Sequence, residues 1–224
     1  MRAPIVADFM TREVFTAVPE TIFKQLVAIM VLRELDALPV IDPCGRPIGV
    51  VADADALTRL EFHAGTDPAP LLAGARRRAR WHKAHGLTAA DLMTRPAVTV
   101  SETSSLDRAV RLLAEHAVRR LYVVDDASCL VGELTRCDAL SVFLRSDSSI
   151  RADVEDALRS TTTTRHAEVQ VDVRVADGVV TLEGTLILHS AVDRAGIRAS
   201  HVPGVVAVRN NLRFNVDDLL ITGM

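Results

Sequence analysis

The chain carries one structural unit twice. Gly132-Glu133-Leu134-Thr135-Arg136-Cys137-Asp138-Ala139-Leu140 has a counterpart in Gly49-Val50-Val51-Ala52-Asp53-Ala54-Asp55-Ala56-Leu57, 83 positions earlier. Two further segments, Ala7-Asp8-Phe9-Met10-Thr11-Arg12 and Ala90-Asp91-Leu92-Met93-Thr94-Arg95, stand at the same offset of 83 and open the two copies. Such a repeat constrains the fold more tightly than any local propensity, because both halves must build the same unit and pack as neighbours.

After each opener comes a β-rich segment, Val14 to Val18 and Ala97 to Val100. Pro19-Glu20-Thr21 and Ser101-Glu102-Thr103 then read as helix N-caps. Ile22, Leu26, Ile29 and Met30 in the first copy, and Leu106, Ala109, Val110, Leu113 and Ala117 in the second, recur at the helical period and predict one apolar face each. Leu38-Pro39-Val40-Ile41-Asp42 aligns with Leu121-Tyr122-Val123-Val124-Asp125 as a strand running into a polar turn. A second strand, Ile48 to Val51 or Leu130 to Leu134, leads into the repeated motif and another helix, so each copy reads β-α-β-β-α.

The motif joins a strand to a helix start with a hydroxyl and a carboxylate three residues apart. Asp138 is an acceptor-only carboxylate suited to a ribose diol, while the Thr135 hydroxyl and the free N–H groups of a helix start suit a phosphate. Arg136 adds positive charge on the phosphate side. Thr and Asp also favour capping positions, so a purely structural role competes with this one. Arg119 and Arg120 are further phosphate candidates, or an exposed pair at a helix end.

The first copy departs from this pattern. Ala52 removes the hydroxyl and Asp53 places an acid where the second copy has Arg136, although Asp55 could still hold a ribose. Between unit charges a few ångströms apart such a reversal is worth on the order of several kcal/mol at an effective dielectric of about 20. The second copy is therefore expected to bind a nucleotide, and the first to be weak, empty or selective for a less anionic ligand.

The tandem openers and the Gly-to-Asp motifs resemble CBS domains, over residues 5–60 and 88–145. The resemblance implies two units packed about a pseudo-twofold axis, homodimerisation through the pair, and clefts between the copies that bind adenine nucleotides (AMP, ADP or ATP) or S-adenosylmethionine as regulatory ligands. It also places the adenine on Val98, Thr99, Val100 and Leu121.

Residues 61–88 belong to neither copy. Arg76-Arg77-Arg78-Ala79-Arg80-Trp81-His82-Lys83-Ala84-His85 is the strongly basic run of the chain. Three readings remain open: a solvated helix face, a clamp on the phosphates of a bound nucleotide, and a contact for nucleic acid or anionic lipid.

Beyond the polar break at Arg145 to Ser149 the pattern changes. Ile150, Val154 and Leu158 share a helix side, and Val169, Val171, Val173 and Val175 alternate as a strand. Asp177-Gly178 supplies a hairpin turn, Val179 to Gly184 returns, and a helix from about His189 to Ser200 precedes a last strand from Val205 to Phe214. The motifs Asp177-Gly178-Val179-Val180-Thr181-Leu182-Glu183-Gly184 and Val202-Pro203-Gly204-Val205-Val206-Ala207-Val208 give residues 149–216 the resemblance of a BON domain, which implies a protein or phospholipid partner. The expected architecture is α/β (α+β): two β-α-β-β-α units packed as a pseudo-twofold pair, followed by a small αββαβ domain.

The formal charge of −3 supplies no global field for nucleic acid or membrane. The longest apolar run, Leu26 to Leu32, falls short of the ~20 residues that span a bilayer, and Met1 to Thr11 lacks the features of a secretory signal, so a cytoplasmic location is expected. Cys44, Cys129 and Cys137 have neither disulfide nor zinc spacing, and read as small thiols. His63, His82, His85, His116, His166, His189 and His201 are scattered with no nucleophile paired to a base. A non-enzymatic bacterial regulator is expected, in which the paired units sense an adenine nucleotide and relay to the BON-like unit. The alternative is a peripheral adaptor for membrane or polyanion with the pair as a dimerisation scaffold.

Overall fold

The computed structural model describes residues 4–63, 74–159 and 171–219. They fall into two compact units, Ile5–Arg136 and Cys137–Met224, the latter together with Met1–Pro4.

In the first unit, copy one comprises α1 (Phe23–Leu32), the antiparallel pair β1 (Ala37–Ile41) and β2 (Pro47–Ala52), and α2 (Asp53–Glu61). The insert forms α3 (Ala75–Ala84). Copy two comprises the short opener helix α4 (Ala89–Leu92), β3 (Thr99–Ser101), α5 (Leu106–Glu115), β4 (Arg120–Val124), β5 (Leu130–Thr135) and the start of α6 (Arg136–Leu140). Its sheet runs in the order β3-β4-β5, parallel and then antiparallel.

The two openers cross, each packing on the other copy. Ala7 N donates to Glu102 O at 3.0 Å, and its repeat mate Ala90 N donates to Pro19 O at 3.0 Å. Thr11 and Glu133 exchange backbone bonds of 2.9 Å each, as Thr94 and Val50 do at 2.8 and 3.0 Å. Ala89, Leu92 and Met93 of the second opener accordingly lie in the first copy's core with Leu26, Met30, Leu38, Val40 and Val51. Neither copy completes its core alone, and burial of that apolar surface favours the pair as one unit.

Gly49 and Gly132 permit the crossing. A side chain at Gly49 would meet Met93 Sδ at 2.5 Å, and one at Gly132 would meet Met10 Sδ at 2.8 Å and Thr11 O at 2.9 Å. Only glycine lets the backbones approach this closely.

Three expectations are corrected. The strand expected at Val14 to Val18 reduces to a bridge between Ala17 and Val40, because Ala17 alone of its neighbourhood is buried while Phe15 and Val18 face solvent. Thr21 does not cap α1; its hydroxyl accepts from Val18 N at 3.0 Å, and the α1 donor Phe23 N reaches Leu87 O at 2.8 Å instead. Ala117 lies off the apolar face of α5, past its end, at φ 52°, matching Glu34 at φ 54° after α1. Val118 N closes onto Leu113 O at 3.1 Å and Leu35 N onto Met30 O at 2.8 Å, so both helices end in a left-handed residue followed by a return bond.

The second unit contains α7 (Asp147–Arg159), the hairpin β6 (Val171–Ala176) and β7 (Val179–Leu188), α8 (His189–Ser200) and β8 (Ala207–Val216). β7 is central, antiparallel to β6 and parallel to β8, which α8 connects. Ile150, Val154, Val180, Leu182, Ala195, Ala199 and Leu212 fill the core between the helices and one sheet face. The hairpin turns through Asp177 and Gly178, both at positive φ, as a two-residue turn requires. The polar stretch after Arg145 is the start of α7: Asp147 accepts from the turn amides of Asp177 and Gly178 at 2.9 Å each, docking helix to hairpin. Val169 lies outside the described residues.

Candidate functional site

The two repeated motifs fold alike. β5 delivers Thr135, half-buried, at its last position, and α6 begins at Arg136 with Asp138 in its first turn. In copy one β2 ends at Ala52 and α2 begins at Asp53, with Asp55 in the first turn. The likeness extends one turn on: Thr58 Oγ1 donates to Asp55 O at 2.6 Å, and Ser141 Oγ donates to Asp138 O at 2.6 Å. Both junctions therefore present a carboxylate at a helix start, where amide donors and the helix dipole favour negative charge.

Their surroundings differ. Asp55 Oδ2 accepts from Ala52 N at 3.0 Å, and Asp55 Oδ1 accepts from Lys83 Nζ at 2.7 Å. Lys83 also donates to Thr94 Oγ1 at 2.8 Å. The side chains of Lys83 and Asp55 are only 17% and 16% exposed, so this is a largely desolvated pair. Asp53 is exposed and accepts from the adjacent Ala54 N at 2.5 Å. At the second junction Arg136 N donates to Arg119 O at 3.2 Å, and its Nε donates to Val118 O at 3.1 Å. That grip orients the guanidinium along the segment leading into β4.

The residues expected under an adenine divide between two faces. Val98 and Thr99 are half-buried, with Val98 O accepting from Tyr122 N at 3.1 Å. Val100 and Leu121 are on the core side, where Leu121 pairs with Leu134 across the sheet; neither offers an open apolar surface.

Arg120, expected beside a phosphate, is committed to carboxylates. Its Nη1 donates to Glu133 Oε2 at 2.8 Å and its Nη2 bonds Asp36. Burial works against its charge, but the two acids outweigh it and hold its pKa above the ordinary value. Tyr122, opposite Glu133 in the sheet, has its phenol pKa raised chiefly by burial, and among the described residues its hydroxyl has no hydrogen-bond partner. Arg119 fits the exposed helix-end reading, at 83% side-chain exposure and 4.0 Å from Asp36.

Sequence reasoning missed Asp36, Glu133, Lys83 and Thr94. Glu133 carried a signal, since an acid replaces Val50 at the repeat position; Lys83 carried none beyond membership of the basic run. That run forms α3, whose Arg76, Arg77 and Arg78 are exposed, whereas Arg80 pairs with Glu61. Arg59 of α2 donates to Ala84 O at 3.3 Å and Gly86 O at 3.2 Å, tying down the end of α3. Among the described residues no helix is long and apolar enough to cross a membrane.

The chain matches the family model described as the CBS domain at residues 6–61 and 89–145, and that of the BON domain at 146–215. It is 31% identical over 152 residues to the chloroplastic CBS domain-containing protein CBSX2 of Arabidopsis thaliana, covering 62% of this chain and 63% of that protein. A protein of Methanopyrus kandleri is 25% identical over 142 residues, or 63% of this chain and 64% of its own length. The chain thus spans under two thirds of these relatives. The crystal structure of CBSX2 in complex with AMP superposes with a TM-score of 0.54 at 32% identity, covering 63% of this chain and 97% of that one.

Proposed function

The chain belongs to the CBS-domain family and carries a BON domain after the pair, and on that premise we propose that it is a non-enzymatic regulator whose second copy binds an adenine nucleotide. The observation that supports this most is the junction Thr135-Arg136-Cys137-Asp138 at the end of β5, in a fold shared with a relative solved with AMP. Asp138 takes the ribose diol, and Thr135 with the α6 amides takes the phosphate. Val98 and Thr99 supply the half-buried wall beside the base. Binding then passes to the BON domain, which contacts a protein or phospholipid partner, provided the nucleotide distinguishes two states of the pair. A homodimer accounts for the exposed apolar residues Val31 and Leu32 of α1 and Leu57 and Leu60 of α2, which two copies would cover.

Calorimetric titration with AMP, ADP, ATP and S-adenosylmethionine is the test. One saturable site per chain for at least one of them is expected. Silence from all four at millimolar concentration would leave the pair as a scaffold. The adaptor reading rests on Arg76, Arg77 and Arg78, exposed in the first turns of α3 where positive charge opposes the helix dipole. Salt-sensitive retention on RNA or anionic vesicles would favour it.

A further inference from the structure

We infer that Cys44 and Cys129 form a reversible disulfide between the two copies, closed by thiol–disulfide exchange with a small-molecule disulfide. The pair lies in the turns of the β1-β2 and β4-β5 hairpins, at the opposite ends from the strand-to-helix junctions, so the inference is independent of the nucleotide reading.

The two turns are built alike. Asp42 Oδ1 accepts from Cys44 N and Arg46 N at 2.9 Å each, and its repeat mate Asp125 Oδ1 accepts from Ala127 N at 2.9 Å and Cys129 N at 2.8 Å. Gly45 and its counterpart Ser128 both take positive φ, 77° and 64°. Each cysteine is thus held through its backbone by the acid at its strand end. The cysteines are not repeat mates, however: the counterpart of Cys44 is Ala127 and that of Cys129 is Arg46.

The turns meet. Leu130 N donates to Gly45 O at 2.9 Å, and the Cys129 thiol donates to Cys44 O at 3.2 Å, across 85 positions. Pro47, the counterpart of Leu130, has no N–H to return the backbone bond. The two thiols therefore stand on this one-sided tie, each in the residue before the bonded pair of Gly45 and Leu130. Cys44 is exposed and Cys129 half-buried, so an oxidant meets Cys44 first. Its thiolate attacks one sulfur of the small disulfide, giving a mixed disulfide and a first small thiol that carries away the Cys44 proton. Cys129 then attacks the Cys44 sulfur, and the second small thiol leaves with the Cys129 proton. Two protein thiols are oxidised and one small disulfide is reduced to two thiols. Where a thiol pool keeps cysteines reduced, the disulfides that do form are transient or redox-sensing, and an exposed bond between two turns is of that reducible kind.

The test incubates the dilute, folded full chain with oxidised glutathione, blocks the remaining thiols with iodoacetamide, and reads intact mass and linked peptides. With three cysteines in the chain, the reduced protein takes three labels. After oxidation the wild type should take one label, on Cys137, with Cys44 and Cys129 in one cross-linked peptide and no glutathione retained. Dithiothreitol should restore all three. Cys129→Ser should keep glutathione on Cys44, because no second thiol expels it. In urea the bond should shift to Cys129 and Cys137, only eight residues apart, since the shorter loop closes at a smaller entropic cost. Three labels throughout overturn the inference. So does glutathione retained on wild-type Cys44 as fully as in Cys129→Ser, or a pairing in the folded chain no different from that in urea.

Discussion

Arg120 in the second copy is bonded to Asp36 in the first, across 84 positions of sequence, while its other nitrogen holds Glu133 at 2.8 Å. One guanidinium therefore joins two strands of a sheet and the two copies. Its side chain is 15% exposed and that of Glu133 14%, so removing the cation leaves acids that water cannot fully reach. Arg120→Met should destabilise the first unit by about 3 kcal/mol, the low end for breaking a buried pair because Asp36 is partly solvated. Urea midpoints measure it. A double-mutant cycle with Asp36→Asn should show coupling of about 1 kcal/mol or more, and strict additivity would remove Arg120 as the link between the copies.

The crossed openers predict that the two motif glycines are intolerant of even one methyl group. At Gly132 a Cβ would fall 2.9 Å from Thr11 O, a backbone atom held in the paired bonds with Glu133. At Gly49 its nearest neighbour is the flexible Met93 Sδ, at 2.5 Å, with Thr94 O at 3.0 Å. Gly132→Ala should cost about 2 kcal/mol, within the range for overpacking, and Gly49→Ala less. Thermal midpoints that do not fall in Gly132→Ala would contradict the close approach.

The second opener also carries a pH dependence. Asp91 accepts from Leu87 N at 2.9 Å, Thr88 N at 3.0 Å and Thr88 Oγ1 at 2.9 Å, and these bonds, Leu87 first, lower its pKa below the usual 3.8. A carboxylate with a depressed folded-state pKa contributes stability that is complete above the unfolded value and drains as pH falls through the folded one. Asp91→Ala should lose about 1 kcal/mol at neutral pH, as for a lost helix cap. The gap between variant and wild type in urea midpoint should close as pH drops below about 4. A gap of constant size from pH 7 to pH 3 would show that the ionised form is not what stabilises the opener.

Much of this architecture is legible in the amino-acid sequence. Strands β1, β2, β4 and β5 lie within a residue or two of the expected segments, and α8 occupies His189–Ser200 as the pattern of the second unit implied. Side-chain periodicity reports such elements because each buries one face. The crossing of the openers was not legible: it is made by backbone bonds such as Ala7 N to Glu102 O, which any residue but proline could donate. Ala17 shows the converse, where β-rich composition around it formed one bridge because only one side chain found a core. At the site, Thr135, Arg136 and Asp138 could be picked out by comparing the copies. The partners of Arg120 and Lys83 could not, because a charge in a sequence does not say which distant charge it will meet.

That comparison yields the most discriminating prediction for ligand binding. Asp138 and Asp55 occupy the same place in the repeat, so by sequence alone removing either should matter equally. Asp55, however, is paired with Lys83 at 2.7 Å, and Asp53 beside it places an exposed acid where the second junction has Arg136. A carboxylate held by a fixed ammonium offers little to a diol, and a neighbouring acid repels a phosphate. Asp138→Ala should therefore weaken AMP binding tenfold or more, corresponding to the loss of about 1.5–3 kcal/mol for hydrogen bonds to a charged acceptor. Asp55→Ala should leave AMP affinity within about twofold of the wild type while lowering the thermal midpoint, because Lys83 loses its partner in a half-buried setting. Calorimetric affinities and melting curves on the same preparations separate the two effects. The reverse pattern, with AMP binding abolished by Asp55→Ala and untouched by Asp138→Ala, would move the nucleotide to the first copy.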